Sequence, residues 1–317
     1  MGWRGTVRTI QAASRRADRE AQRRNRELQK QEKEFAKMEA LEQAIYEVKV
    51  YENRIDLLQS IHKESGNLID WISISEALPP EEPKNKKLRE KNFKPGLFTK
   101  LLGRVEKAKE NEIIKDRESF EKSFIQWEID YKEWEKNKEL AMQVLNHEEN
   151  AQLEVIEKIN PFEDLGELGS SLRFITDSSG IISVELTTHD EDIIPNEVKS
   201  LLKSGKLSTK KMSKGMYYEY YQDYISSCVL RIGNELLAIL PEEIVLVHVI
   251  DNMLNTKTGH MENQCILSVA ISRETIQCLN MDMIDPSDSL ENFVHNMKFK
   301  KTKGFESVDR LTVDRFI

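Results

Sequence analysis

Residues 11–63 contain neither glycine nor proline, and a chain that lacks both breakers over such a length is committed to one long helix. Its apolar residues fall at Leu28, Phe35, Met38, Leu41, Ile45, Val48, Ile55 and Leu58. Steps of seven, three and four put them on one stripe of a helix about 80 Å long, at ~1.5 Å per residue. Dense charge on both flanks makes the stripe a seam rather than one wall of a globular core.

A break follows. Ser65-Gly66, Pro79, Pro80, Pro83 and Pro95-Gly96 mark a proline-containing connector over about 65–103. Helix resumes near Phe98 or Arg104, and Ile113, Arg117, Phe120, Phe124, Trp127, Tyr131, Trp134, Lys138, Ala141 and Leu145 then step by four and three without interruption. This is a heptad seam. Phe, Trp, Tyr and Trp in succession are too bulky for an ordinary two-stranded zipper, so the facing surface must offer small or polar groups, and the first helix carries alanine and charged residues. Two long helices joined by such a connector predict an antiparallel coiled-coil or helical hairpin arm over 1–160. Pairing of each helix with another subunit is the alternative, and the connector reaches far enough for either.

Asn160-Pro161 ends the arm, because proline disfavours helix in the residue before it. The periodicity then changes. Ser171 to Thr176 and Ile181 to Thr187, joined by Ser178-Ser179-Gly180, alternate as a β-hairpin does. The stripe Tyr218, Tyr221, Ile225, Val229, Ile232, Leu236 and Ile239, stopped by Pro241, marks an amphipathic helix. Ile244 to Ile250 reads as a strand covered on both faces, and residues 265–271 give another. Ser272 to Leu279 looks helical, as does the stretch after Asp285-Pro286 through Leu290, Phe293 and Met297, with Asp285 as N-cap. The fold class is therefore α+β, a helical arm followed by a small mixed α/β domain over 161–317.

Composition narrows the function. Only 13 Gly and 8 Pro occur among 317 residues, 32% are charged and 39% hydrophobic, as long polar helices require. Cys228, Cys265 and Cys278 are odd in number and irregularly spaced, which argues against a disulfide scaffold and fits a reducing, cytoplasmic setting. No apolar run approaches the ~20 residues that span a bilayer, so no transmembrane segment is expected.

The sequence motifs exclude more chemistry than they support. There is no GxGxxG, and Gly205-Lys206 has no glycine five residues earlier, which removes a P-loop. The six histidines, His62, His147, His189, His248, His260 and His295, form no zinc spacing, and no GxSxG elbow appears. No cofactor is expected. Glu197-Val198-Lys199, downstream of Asp177, Glu185 and Asp190-Glu191-Asp192, has the acid-x-Lys pattern by which Mg²⁺-dependent nucleases hold metal and orient water. Its setting reads as the start of a short helix, and in a chain this charged the pattern arises readily by chance.

Basic clusters are the larger signal. Lys199, Lys203, Lys206, Lys210, Lys211 and Lys214 lie within sixteen residues in a segment read as a solvated loop, a candidate nucleic-acid or anion contact. Tyr217, Tyr220 and Tyr224 follow as candidate surface rings. Lys298, Lys300, Lys301 and Lys303 form a second cluster at the other end of the domain. The first thirty residues carry nine basic residues against three acidic ones, a net of +6 in a chain of net −8. There Trp3, Arg4 and Arg8, with Val7 and Ile10, form a candidate docking element for a partner. The expected function is that of a non-catalytic assembly subunit, with a protein partner or self-association through the arm. Nucleic-acid association or an Mg²⁺-dependent nuclease activity is the alternative.

Overall fold

In a computed structural model, residues 40–64, 66–167, 170–176, 181–188, 193–312, 314 and 316 are described. They divide into two compact units, residues 70–146 and a second unit made of residues 40–69 together with the described residues from 147 onward. The Asn160-Pro161 junction thus falls inside the second unit, to which residues 40–69 also belong.

The first unit is built on one helix. Its elements are α2 (Trp71–Ser75), α3 (Leu88–Asn92), α4 (Leu97–Leu101) and α5 (Val105–Leu145), the last of 41 residues, or roughly 60 Å. The expected aromatic stripe of α5 forms a ladder, with ring centroids 6.0 Å apart for Phe120–Phe124, 5.3 Å for Phe124–Trp127, 5.5 Å for Trp127–Tyr131 and 5.3 Å for Tyr131–Trp134. What covers it is the connector. Trp127 Nε1 donates to the carbonyl of Pro80 and Trp134 Nε1 to that of Ala77, each at 2.9 Å. The α2 helix, capped by Asp70 accepting from Ser73 N at 2.9 Å, and α3 pack on the same helix. Asp116 of α5 accepts the backbone N–H groups of Arg89 and Glu90, each at 2.9 Å. Proline explains this choice of cover: a segment that cannot pair as helix or strand leaves carbonyls free, and indole N–H groups satisfy them.

Trp127→Phe and Trp134→Phe should each cost about 1 kcal/mol by removing one such donor while keeping the ring. Hydrogen exchange in the full chain should show amides 71–83 opening roughly fivefold faster in each variant, a factor that follows from the same energy. Unchanged exchange there would mean that the indole N–H groups do not hold the connector.

The second unit is a six-stranded sheet with one long helix across it. Its elements are α1 (Ala40–Ser60), a 3₁₀ turn (Ile61–Lys63), α6 (Glu149–Ile159), α7 (Glu163–Glu167), β1 (Ser170–Thr176), β2 (Ile182–Thr188), β3 (Glu197–Leu201), β4 (Leu207–Lys211), α8 (Lys214–Ile239), β5 (Ile244–Asn255), β6 (His260–Ser272), α9 (Arg273–Cys278), α10 (Pro286–Ser289), a 3₁₀ turn (Leu290–Asn292), β7 (Val294–Lys300) and β8 (Gly304–Glu306). The sheet order is β1-β2-β5-β6-β7-β8. Only the β2–β5 pair is parallel, and the chain returns between them through β3, β4 and α8. The segment after Asp285 is helical for one turn only. Asp285 caps it as expected, accepting from Ser287 N at 2.9 Å, but His295 to Met297 run as strand. Pairing of Val294–Met297 with β6 overrides the local pattern.

On one face of the sheet, Val184, Val247 and Val269 stand in register and lie beneath α8. Gly233 of α8 approaches the sheet so closely that a Cβ there would be 2.7 Å from Ile271 Cγ2. The helix is also buried along a second, polar edge. Asp223, Ser227, Arg231 and Glu235 recur every four residues, and the 59–64 segment lies along them. Gln59 Nε2 donates to Asp223 at 2.7 Å, His62 Nδ1 is 2.8 Å from Ser227 Oγ, and Arg231 Nη1 donates to Glu64 at 2.8 Å. Burial drives the Asp223 carboxyl up and the His62 imidazole down from their usual ranges. The described part of the first helix therefore buries its stripe in this unit, packing on α8 and on β3–β4. Ala44, Val48, Ile55 and Leu58 point inward, whereas Leu41 and Ile45, both on the expected seam, are exposed.

Candidate nucleic-acid interface

The lysine-rich segment is an ordered antiparallel hairpin, not a solvated loop. Its Cα register runs from Glu197↔Lys211 to Leu201↔Leu207, and Met212 N donates to Asn196 O at 2.8 Å to close its base. At the tip Gly205 N donates to Leu202 O at 2.8 Å, with Gly205 at φ +79°. A side chain would be strained in that left-handed conformation. Alternation along the strands sets Lys199 and Lys211 on one face of the hairpin and Lys210 on the other. Lys203 and Lys206 flank the tip, and Lys203, Lys206, Lys210, Lys211 and Lys214 are all exposed. Lys199 is engaged, its Nζ 2.8 Å from Glu47 of α1.

Lys214 is the first residue of α8, whose N-cap Ser213 accepts from Met216 N at 3.3 Å. The helix start meets the β7–β8 hairpin. A Cβ on Gly215 would lie 3.8 Å from the carbonyl of Lys301, and one on Gly304, at φ +80°, 2.8 Å from the ring of Tyr218. Tyr221 and Phe299 both pack edge-on against Phe305, at 5.8 Å and 5.1 Å. The second basic cluster, remote in sequence, is thereby placed beside Lys214. Lys300 and Lys301 pair with Glu306 and Glu219 at 2.6 Å and 3.0 Å. Hydrogen bonding from Lys300, then its charge, hold the Glu306 carboxyl below the usual range, with Lys303 and Lys298 contributing.

The tyrosines do not supply stacking platforms. Tyr224 is fully buried, with its hydroxyl 2.9 Å from Ser170 Oγ. Tyr220 hydrogen-bonds Tyr51, whose pKa is pushed up to about 12 by burial first and by Tyr220 second. Tyr217 stacks on Tyr221 at 6.4 Å. What remains exposed is positive charge, suited to phosphate rather than to bases.

Glu197 and Lys199 lie on β3, a strand rather than a helix start, paired antiparallel with β4. Glu197 is exposed and Lys199 is bound to Glu47. Among the described residues no three His, Cys, Asp or Glu gather as a metal-ligand set; Asp177 and Asp190-Glu191-Asp192 lie outside the described residues. So do Trp3, Arg4 and Arg8. Cys228 and Cys265 are buried, and burial pushes the Cys265 thiol up to about 11. Among the described residues no helix is long and apolar enough to cross a membrane.

One polar row escaped the sequence reading. Glu185, His248, Ser268 and Asn296 stand in register on the sheet face opposite α8, beneath the C-terminal segment. Ser268 Oγ lies 2.8 Å from His248 Nδ1 and accepts from Leu311 N at 2.8 Å, while Arg310 pairs with Glu185. Burial first, then the charge of Arg310, lowers the His248 pKa to about 4. Ser268 is fully buried and its oxygen is committed to Leu311, so the row fastens the C-terminal segment to the sheet. A histidine inside the apolar run Ile244 to Ile250 was its only sequence signal.

Compared with protein-family models, with curated proteins and with solved structures, the chain matches none.

Proposed function

We propose that the protein is a non-catalytic assembly subunit whose long helix, α5, pairs in coiled-coil fashion with a helix of a second copy. The observation that carries this reading is a second stripe on α5. Ile114, Ile125 and Ile129 are exposed at 47%, 57% and 53%. At about 100° per residue they lie roughly 150° around the helix from the aromatic ladder that the connector occupies. Glu121, Lys122, Glu128 and Lys132 flank them with both signs of charge, which makes an antiparallel pairing of two identical stripes self-complementary. Sedimentation of the full chain is expected to show association that Ile125→Glu with Ile129→Glu abolishes, while the helical signal and melting temperature stay unchanged. A wild-type chain that remains monomeric to about 100 µM would remove the reading, that being a weak limit for a functional self-contact.

A second reading is nucleic-acid association through Lys203, Lys206, Lys210, Lys211 and Lys214. It is supported by the presentation of these side chains on an ordered hairpin.

A further inference from the structure

Taking that second reading as its basis, we infer that the β3–β4 hairpin and the β7–β8 hairpin form one continuous basic surface that binds the phosphate backbone of nucleic acid without reading its bases. Three observations carry this beyond the first lysine cluster. The contacts of Gly215 with the Lys301 carbonyl and of Gly304 with Tyr218 seat the β7–β8 turn against the start of α8, directly beside the residues that end β4. Taken over both faces of the narrow β3–β4 ribbon and the β7–β8 turn, the combined surface then holds Lys203, Lys206, Lys210, Lys211, Lys214, Lys298, Lys300, Lys301 and Lys303 against Glu197, Glu219 and Glu306. Nine against three is a net of +6 on a chain whose total is −8, so the rest of the molecule repels a polyanion and orients it toward this face. The nearby rings, finally, are spent on packing, which leaves no base-stacking surface.

A lipid surface would use the same charge but requires apolar insertion. The exposed apolar groups here are Leu201, Leu202, Met216, Val294 and, against the hairpin tip at Gly205, Leu41, whereas the lysines continue past the hairpin tip, along its strands and across to a second turn. Such a track suits a line of phosphates more than a point of membrane entry.

The test uses the full chain, a labelled 20-base-pair duplex of random sequence and, as the competing arm, phosphatidylserine vesicles. Binding to the duplex is measured from 50 to 200 mM KCl. Lys206→Ala with Lys210→Ala and Lys211→Ala should lower the slope of log affinity against log salt by about 1 per lysine, and Lys298→Ala with Lys303→Ala should do the same. All five are exposed, so folding should be unaffected, and a second duplex sequence should bind equally. If the first variant loses affinity and Lys298→Ala/Lys303→Ala binds like wild type, the composite surface is overturned while the hairpin reading survives. If wild type does not bind at 50 mM KCl, or the first variant binds unchanged, both fall. Binding to vesicles but not to duplex overturns the inference in favour of a lipid surface.

Discussion

Arg231→Met is expected to lower the melting temperature of the second unit by about 10 °C, which corresponds to roughly 3–5 kcal/mol at this size. Arg231 is buried in the polar edge of α8, and its one guanidinium joins three segments of chain, the 61–64 stretch, Pro161 and α8 itself. It donates to Glu64 at 2.8 Å and to the Pro161 carbonyl at 3.3 Å, reaches the Ile61 carbonyl at 3.5 Å, and pairs through Nε with Glu235 at 3.2 Å. Methionine nearly fills the volume but leaves Glu235, itself buried, without its countercharge. Breaking one side of a buried pair costs far more than replacing both sides. The double variant Arg231→Met with Glu235→Leu should therefore recover much of the loss. Calorimetry of the two proteins distinguishes the cases: a single variant that melts with the wild type would show that the network adds nothing to stability.

Gly233→Ala should destabilise the same unit by about 1–3 kcal/mol, and Gly233→Leu should prevent it from folding. Alanine normally favours a helix over glycine by ~1 kcal/mol, so the predicted sign is opposite to the local preference. The reason is contact. A Cβ at this position would meet Ile271 Cγ2, Cγ1 and Cβ at 2.7, 2.8 and 2.9 Å, and Ile271 is fully buried on a central strand that cannot retreat. Because the clash is with one side chain, Ile271→Ala in the Gly233→Ala background should cost less than the two changes added separately. Denaturant titration of the four proteins gives the coupling. Additive costs would place the origin of the close approach elsewhere.

Elements whose pattern is set by their own burial were legible in the sequence. The 214–239 helix, the buried cores 244–250 and 265–271 of the two central strands, and the Asp285 cap appear where apolar spacing and capping chemistry put them, because each buries a regular face against the rest of its unit. The polar extensions of those strands to 255 and from 260 carry no such pattern. The aromatic ladder of α5 was equally legible, but its cover was not. A heptad seam states that something is covered without saying by what, and the connector's carbonyls carry no periodicity. Lys199 to Lys211 hid a hairpin because exposed lysines on both faces of a two-stranded ribbon leave no alternation of apolar residues. The row Asp223, Ser227, Arg231 and Glu235 reads as a solvent face, and only the 59–64 segment laid along it makes it interior. For the candidate interface, the charges were visible as two clusters, and their juxtaposition depends on Gly215 and Gly304, which sequence spacing cannot place against each other.

The residues that bracket the 70–146 segment in the chain are themselves held within the second unit. Ile69 N donates to the Ala238 carbonyl at 2.9 Å, and Gln152 Nε2 and His147 Nδ1 both meet Glu242, the histidine at 2.7 Å. In genealogical terms the segment behaves as a passenger carried within its host, and this has a cost in time during synthesis. The α1 helix leaves the ribosome about 150 residues ahead of α8, the element that buries it. At ~5–20 residues per second the delay is roughly 10–30 s. Throughout that interval Val48, Ile55 and Leu58 have no native cover. The high density of charge around them, which the sequence presents as the flanks of a seam, opposes association of exposed apolar groups by mutual repulsion.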